Sequence, residues 1–213
     1  AALERIHDLL YGVVLRGVTP PMPIHLRPIH HGVFFEGEDF SVRAFQVEHR
    51  GPDCLGFVFE EKGRRPFLPE LAEALAIPPG PWRRDLVAGL PVTLPDGRTI
   101  QPEMVLGPFK PGTRLVHVGD VGNVENLVEI CRDADALIIE STYLQQEADM
   151  ARQFSHLTAR QAAGLALKAG VRQLFLTHIS RRYREKEVLA EAQEIFPGAV
   201  VARDFDTYQV KRE

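Results

Sequence analysis

Residues 114–140 read RLVHVGDVGNVENLVEICRDADALIIE. Two apolar runs, at 114–118 and 136–140, bracket a segment at 123–132 with helical spacing, and each run is closed by an acidic residue, Asp120 or Glu140. Short apolar runs bounded by turn residues read as buried strands, and Asn123 stands where a helix cap is expected. The alternation continues downstream. A helix is expected from about 158 to 169 behind Thr158, a strand at 173–177 ending at His178, a helix over 184–195 that stops before Pro197-Gly198, and a strand at 199–202. Strands alternating with helices predict a layered α/β architecture with a largely parallel or mixed sheet.

Upstream the pattern differs. Residues 40–48, FSVRAFQVE, alternate polar and apolar and predict a half-buried strand, with 54–60 as its partner. Leu3, Ile6, Leu9 and Leu10 give residues 2–11 an amphipathic helical spacing, and Pro20, Pro21, Pro23 and Pro28 exclude regular structure after it. Between Lys62 and Gly107 prolines and glycines interrupt the chain, leaving a short helix near 69–76 and a hairpin turn at Pro95-Asp96-Gly97. That stretch reads as an excursion from the core.

At 213 residues the chain fits one domain, or a domain with an appendage, and 45 % apolar residues suffice for a sizeable core. The formal net charge of −4 weighs against a generally basic surface, so nucleic-acid contacts are expected only from local clusters. Cys54 and Cys131 form no C-x-x-C pair and are expected as reduced thiols. No membrane span and no signal peptide are read, and a cytoplasmic location is expected.

The chemistry lies where the strands end. Asp120, Glu140 and His178 follow three apolar strands, and His156 precedes the helix between the last two. Ligands of α/β sheets bind beyond the carboxyl ends of strands. Asp120 or Glu140 alone also reads as a helix cap; the set predicts one polar pocket. Imidazole with carboxylate suits Zn²⁺. The Pro-rich setting of His25, His30 and His31 offers no ligand geometry.

Several segments resemble, in order, the motifs of ribonuclease Z, a branch of the metallo-β-lactamase-fold hydrolases. These are Val47-Glu48-His49 with Leu55-Gly56-Phe57, Ile77-Pro78-Pro79-Gly80-Pro81, Pro108-Phe109-Lys110-Pro111-Gly112, Val118-Gly119-Asp120, Glu140-Ser141-Thr142, Ser155-His156-Leu157-Thr158, Leu176-Thr177-His178-Ile179-Ser180-Arg181-Arg182-Tyr183 and Ala202-Arg203-Asp204. The resemblance covers about residues 1–210. It implies the C-terminal portion of an αββα sandwich, an incomplete domain over 1–213, with residues 62–107 as an inserted tRNA-binding arm.

It also implies roles. Asp120 would bridge two zinc ions (Mn²⁺ being an alternative metal), with His49 on one and His178 on the other. His156, polarised by Glu140, would protonate or stabilise the leaving 3′ oxygen. Arg64, Arg65, Arg83 and Arg84 in the arm, and Arg181 and Arg182 beside His178, would contact RNA phosphates. The substrate would be precursor tRNA, cut to leave a 3′-hydroxyl, and the assembly a homodimer. Ile139 and Val121 depart from the histidine and threonine usual in the family. The family's H-x-H-x-D-H motif, which precedes these segments, does not occur in this sequence. Residues 1–213 alone are therefore expected to bind zinc poorly and to be inactive, with an apolar sheet face and edge left bare. The competing readings are another hydrolase of this fold, an arylsulfatase or phosphodiesterase, and a non-catalytic RNA-binding fragment.

Overall fold

The computed structural model describes residues 2–51 and 54–210. A short helix α1 (Ala2–His7) runs into a π-helical segment, Asp8–Val14. Then come β1 (Gly32–Glu36), β2 (Phe40–Gln46) and β3 (Leu55–Glu61). The excursion holds α2 (Pro69–Ala74), α3 (Pro81–Val87), β4 (Val92–Thr93) and β5 (Thr99–Ile100). After it the chain returns as β6 (Arg114–His117), α4 (Val128–Cys131), β7 (Ala136–Glu140) and α5 (Ala148–Phe154). It closes with α6 (Ala159–Lys168), β8 (Leu174–Thr177), α7 (Glu185–Gln193) and β9 (Ala199–Val201).

One mixed seven-stranded sheet has the order β1-β2-β3-β6-β7-β8-β9. Neighbours from β1 to β6 pair antiparallel, and those from β6 to β9 pair parallel. The parallel half fixes the site, because its register brings carboxyl ends level: His117 pairs with Ile138, and Glu140 with Thr177. Parallel neighbours need crossover connections, which α4, α6 and α7 help supply.

The core lies between the sheet and these helices. Leu137, Ile139, Leu174 and Leu176 are fully buried against Ala159, Ala162, Ala163 and Ala166 of α6. Burying such a leucine or isoleucine is worth about 1.5–3 kcal/mol, so the strands that carry the site are held by their own alternate residues. The alanines let α6 approach closely. Its start is fixed by a capping box: Gln161 N–H donates to Thr158 Oγ1 (3.2 Å) and Thr158 N–H to Gln161 Oε1 (2.9 Å).

The opposite face carries Phe57, Phe59, Leu115, His117, Ile138 and Val200, none of them buried, with Phe59 41 % exposed. On the same face Val42, Ala44 and Phe175 are buried, Phe175 beside Tyr208, so the face is exposed only in part.

The excursion is a body with its own apolar cluster of Ala72, Ile77, Leu86, Val92, Leu94, Ile100 and Val105, with Trp82 packed at its rim. The hairpin turn closes as expected, Gly97 at φ +86° and its N–H on Leu94 O at 2.9 Å. The stem is zipped by Arg64 N–H to Lys110 O and Gly107 N–H to Pro66 O, both 2.8 Å. At its return Gly112 passes so near β3 that a Cβ would sit 1.9 Å from Glu61 O, which only glycine tolerates.

Some elements differ from expectation. Helix α3, β1 and α5 were not anticipated. The helix foreseen at 123–132 is shorter, a 3₁₀ turn (Glu125–Leu127) followed by α4, because Asn123 Oδ1 accepts Glu125 N–H (2.9 Å) in a local turn.

Candidate metal and catalytic site

The strand ends and one turn bring five side chains together. His49 lies just past β2, Asp120 past β6, Glu140 ends β7, His156 sits between α5 and α6, and His178 follows β8. Asp120 faces two histidines: Oδ2 is 3.9 Å from His49 Nε2, and Oδ1 is 3.5 Å from His178 Nε2. The rings of His49 and His156 are 5.0 Å apart, and those of His156 and His178 5.3 Å. His49, Asp120 and His156 each offer a ligand atom, all within 4.8 Å of one another. This geometry suits a metal ion, and the donor chemistry agrees with it.

Hydrogen bonds fix which ring atoms face inward. His49 Nδ1 donates to Ser155 O (2.7 Å), which leaves Nε2 as a lone-pair donor toward Asp120. His156 Nδ1 lies 2.8 Å from Glu140 Oε1, leaving Nε2 for other work. Glu140 is fully buried, yet each of its oxygens has two partners. Oε1 takes Val121 N–H (2.7 Å) and His156; Oε2 takes Leu157 N–H (3.2 Å) and the Thr142 hydroxyl (2.5 Å). A buried carboxylate is tolerated only when so satisfied. The same hydroxyl lies 3.0 Å from His178 O, where the backbone takes a left-handed φ of +53°. A non-glycine residue in that region stores about 1–3 kcal/mol, a cost that concentrates at functional sites.

The sequence pointed to Glu140 and its partner His156, but not to the Val121, Thr142 and Leu157 donors. Thr142 stood inside a quoted segment with no role; Ser155 acts through its carbonyl, which carries no side-chain signature. His156, expected beside the metals as a proton carrier, sits within ligand range of His49 and Asp120.

The basic residues divide. Arg83 donates from Nε and Nη2 to Ile77 O (3.0 and 2.7 Å), and Arg65 to Gly107 O and Leu106 O (2.8 and 3.2 Å), so both staple the arm's own backbone. The Arg84 side chain has no hydrogen-bond or ion-pair partner among the described residues, and the Arg64 side chain only the nearby Glu61 charge. Near His178, Arg182 pairs with Glu147 (3.3 Å), whereas Arg181 is exposed. No described helix is long and apolar enough to cross a membrane.

Comparison with known proteins identifies the family. Residues 85–179 match the family model described as a beta-lactamase superfamily domain. The chain is 45 % identical to a ribonuclease Z of Bradyrhizobium diazoefficiens over 87 % of its own length and 62 % of that protein's. It thus spans less than two thirds of that relative. Among solved structures, the short form of human tRNase Z superposes with a TM-score of 0.50 at 22 % identity, covering 84 % of this chain and 46 % of that one. A diphosphatase of the PhnP family gives 0.51 at 12 % identity over 94 % and 52 %. These two establish the fold alone, that of the metallo-β-lactamases. The ribonuclease Z of Methanothermobacter thermautotrophicus is 38 % identical over 97 % of this chain and 67 % of its own length, and on that match the chain belongs to the ribonuclease Z family.

Proposed function

We propose that this chain carries the strand-end metal ligands and the RNA-gripping arm of a zinc-dependent endoribonuclease, which removes the 3′ trailer of precursor tRNA and leaves a 3′-hydroxyl. The observation that carries this is Asp120, with one oxygen toward His49 and the other toward His178. Asp120 would be shared by two zinc ions, or two Mn²⁺, with His49 completing one side and His178 the other. Bound there, zinc supplies Lewis acidity toward a phosphoryl oxygen and activates water for attack.

The chain's own groups do the rest. Ser155 O fixes the His49 tautomer, and Thr142 holds the His178 backbone. His156, with Nδ1 pinned to buried Glu140, presents Nε2 to pass a proton to the leaving 3′ oxygen. The 4.8 Å cluster favours a second reading, in which His156 is itself a ligand; retention of full zinc by His156→Gln selects the first. Residues 62–107 act as an exosite for tRNA, with Arg64 and Arg84 on phosphates and Arg181 nearer the cut. Arg65 and Arg83 build that surface, and Arg182 is braced on Glu147.

His49, Asp120 and His178 give each ion two protein ligands, one shared, where zinc generally takes three or four. Residues 1–213 alone therefore hold metal weakly and do not cleave, and the remaining length of the relatives packs on the partly exposed sheet face. A cytoplasmic homodimer is part of the same reading.

Full-length protein loaded with zinc should trim a trailer-bearing tRNA transcript. Asp120→Ala should lower zinc content, read by mass spectrometry at fixed free zinc, more than His49→Ala or His178→Ala, because it strips a ligand from both ions. Absence of metal-dependent trimming sinks the nuclease; an Asp120→Ala protein that keeps both metals sinks the shared ligand.

A further inference from the structure

We propose that the cavity beside His49 is a nucleotide subsite, in which Arg50 holds the phosphate next to the one being cleaved. This rests on the nuclease reading and goes beyond it by naming the residue that positions the strand.

The cavity has a volume of about 390 Å³ and is lined by Glu48, His49, Arg50, Asn123, Arg152 and Ser155, among others. That volume lies within the roughly 300–1,000 Å³ of small-ligand sites. Two of its walls are shared with the metal site: His49 offers Nε2 to Asp120, and Ser155 O orients His49. A strand whose phosphodiester lies at Asp120 would therefore set an adjoining nucleotide here.

Arg50 is aimed in advance. Its backbone takes φ +32°, in the region that favours glycine, between a metal-ligand candidate and Gly51. Nε donates to Phe154 O at 3.0 Å, and the guanidinium lies 5.5 Å from the centre of the Phe154 ring. This anchor spans 104 positions of sequence. It uses one donor group and one ring face; among the described residues Nη1 and Nη2 have no partner. A guanidinium held by Nε and stacked on a ring keeps its fork for an anion, the geometry in which arginine binds phosphate.

The lining also includes Arg152, whose charge is tempered by its ion pair with Asp149. Two further lining residues are tied to each other, Asn123 Nδ2 donating to Glu48 Oε2 at 3.2 Å, so part of the polar lining is preformed. Arginine, amide and carboxylate in one lining match a phosphate with its base, not an apolar ligand.

The bland account makes Arg50 only a staple between the His49 turn and the end of α5. The two accounts separate in binding of a fluorescein-labelled, phosphorothioate-linked, six-nucleotide single-stranded RNA to full-length, zinc-loaded protein, followed by anisotropy across a salt series. Arg50→Ala should weaken binding about ten-fold and flatten the slope of log affinity against log salt by about 0.7, the value of one phosphate contact on a single strand. Zinc content and the urea midpoint should not move. Arg50→Lys should restore the slope, with only part of the affinity. Unchanged RNA affinity in Arg50→Ala overturns the subsite. RNA and zinc lost together leave only the staple. If the unaltered protein binds no RNA, the nuclease reading falls and the subsite with it.

Discussion

The strand-end cluster and the arm are each built round a few buried side chains, yet they use polar groups in opposite ways. At the strand ends Glu140 is buried with two partners on each oxygen, and those partners come from four points between Val121 and Leu157. In the arm the buried set is wholly apolar, and two arginines are spent on the arm's own carbonyls. The first arrangement fixes directions, so that His156 presents one known nitrogen. The second makes a self-supporting body that presents a surface without aligning any reacting atom. On the proposed function chemistry and grip are thereby separable, and removing a key buried group should have different reach in the two regions.

The largest effect is expected from Glu140→Ala. It leaves the Val121 and Leu157 amides buried without acceptors and frees the His156 ring. Loss of a buried charged partner of this kind costs about 3–5 kcal/mol. Urea denaturation should show that loss, and zinc affinity should fall with it. A cost below about 1 kcal/mol would break the contrast, because Glu140 would then not be what organises the cluster.

Leu86→Ala comes next. Leu86 is fully buried in the arm's cluster. Its truncation costs about 2–5 kcal/mol, but the damage should stay local. Amide exchange should accelerate over residues 62–107 and remain unchanged in β7 and β8. Faster exchange in those strands would mean that arm and core unfold as one unit.

The same division explains what the sequence disclosed. The strands at 136–140 and 173–177 were legible to within a residue because they are continuous apolar runs, buried at nearly every position, that end in polar residues. The Thr158 cap was legible because capping chemistry is local. Helix α3 was not: Gly80 and Pro81 read as breakers, yet Gly80 at φ +124° precedes Pro81 at the first helical turn, where proline is tolerated. The candidate metal ligands came from ordered motifs, whereas their supports lie in contacts far apart in sequence, such as Ser155 O on His49 across 106 positions. The charge of Arg65 and Arg83 is visible in the sequence, whereas their bonds to the arm's carbonyls are not.

The smallest effect separates the two regions by pH. His117 ends β6 on the outer face of the sheet, opposite Phe57 and Ile138, and partial burial holds its imidazole below the usual value of 6.5 because the charged form loses hydration. In the unfolded chain His117 takes up its proton near 6.5; in the folded chain it does so only at lower pH. Between those values the unfolded state binds more protons, so the folded state loses stability as pH falls from about 6.5 toward the folded value. Below the folded value both states are protonated and the loss stops. The arm has no histidine between residues 62 and 107. Lowering the pH from 8.0 to 5.5 should therefore increase exchange in β6 and its neighbours relative to the arm, after correction for intrinsic exchange rates, and by less than Leu86→Ala does in the arm. His117→Phe keeps a ring on that face and removes the proton, so the pH-dependent difference between the regions should shrink. A difference that survives His117→Phe undiminished would assign the acid sensitivity to other histidines of the core.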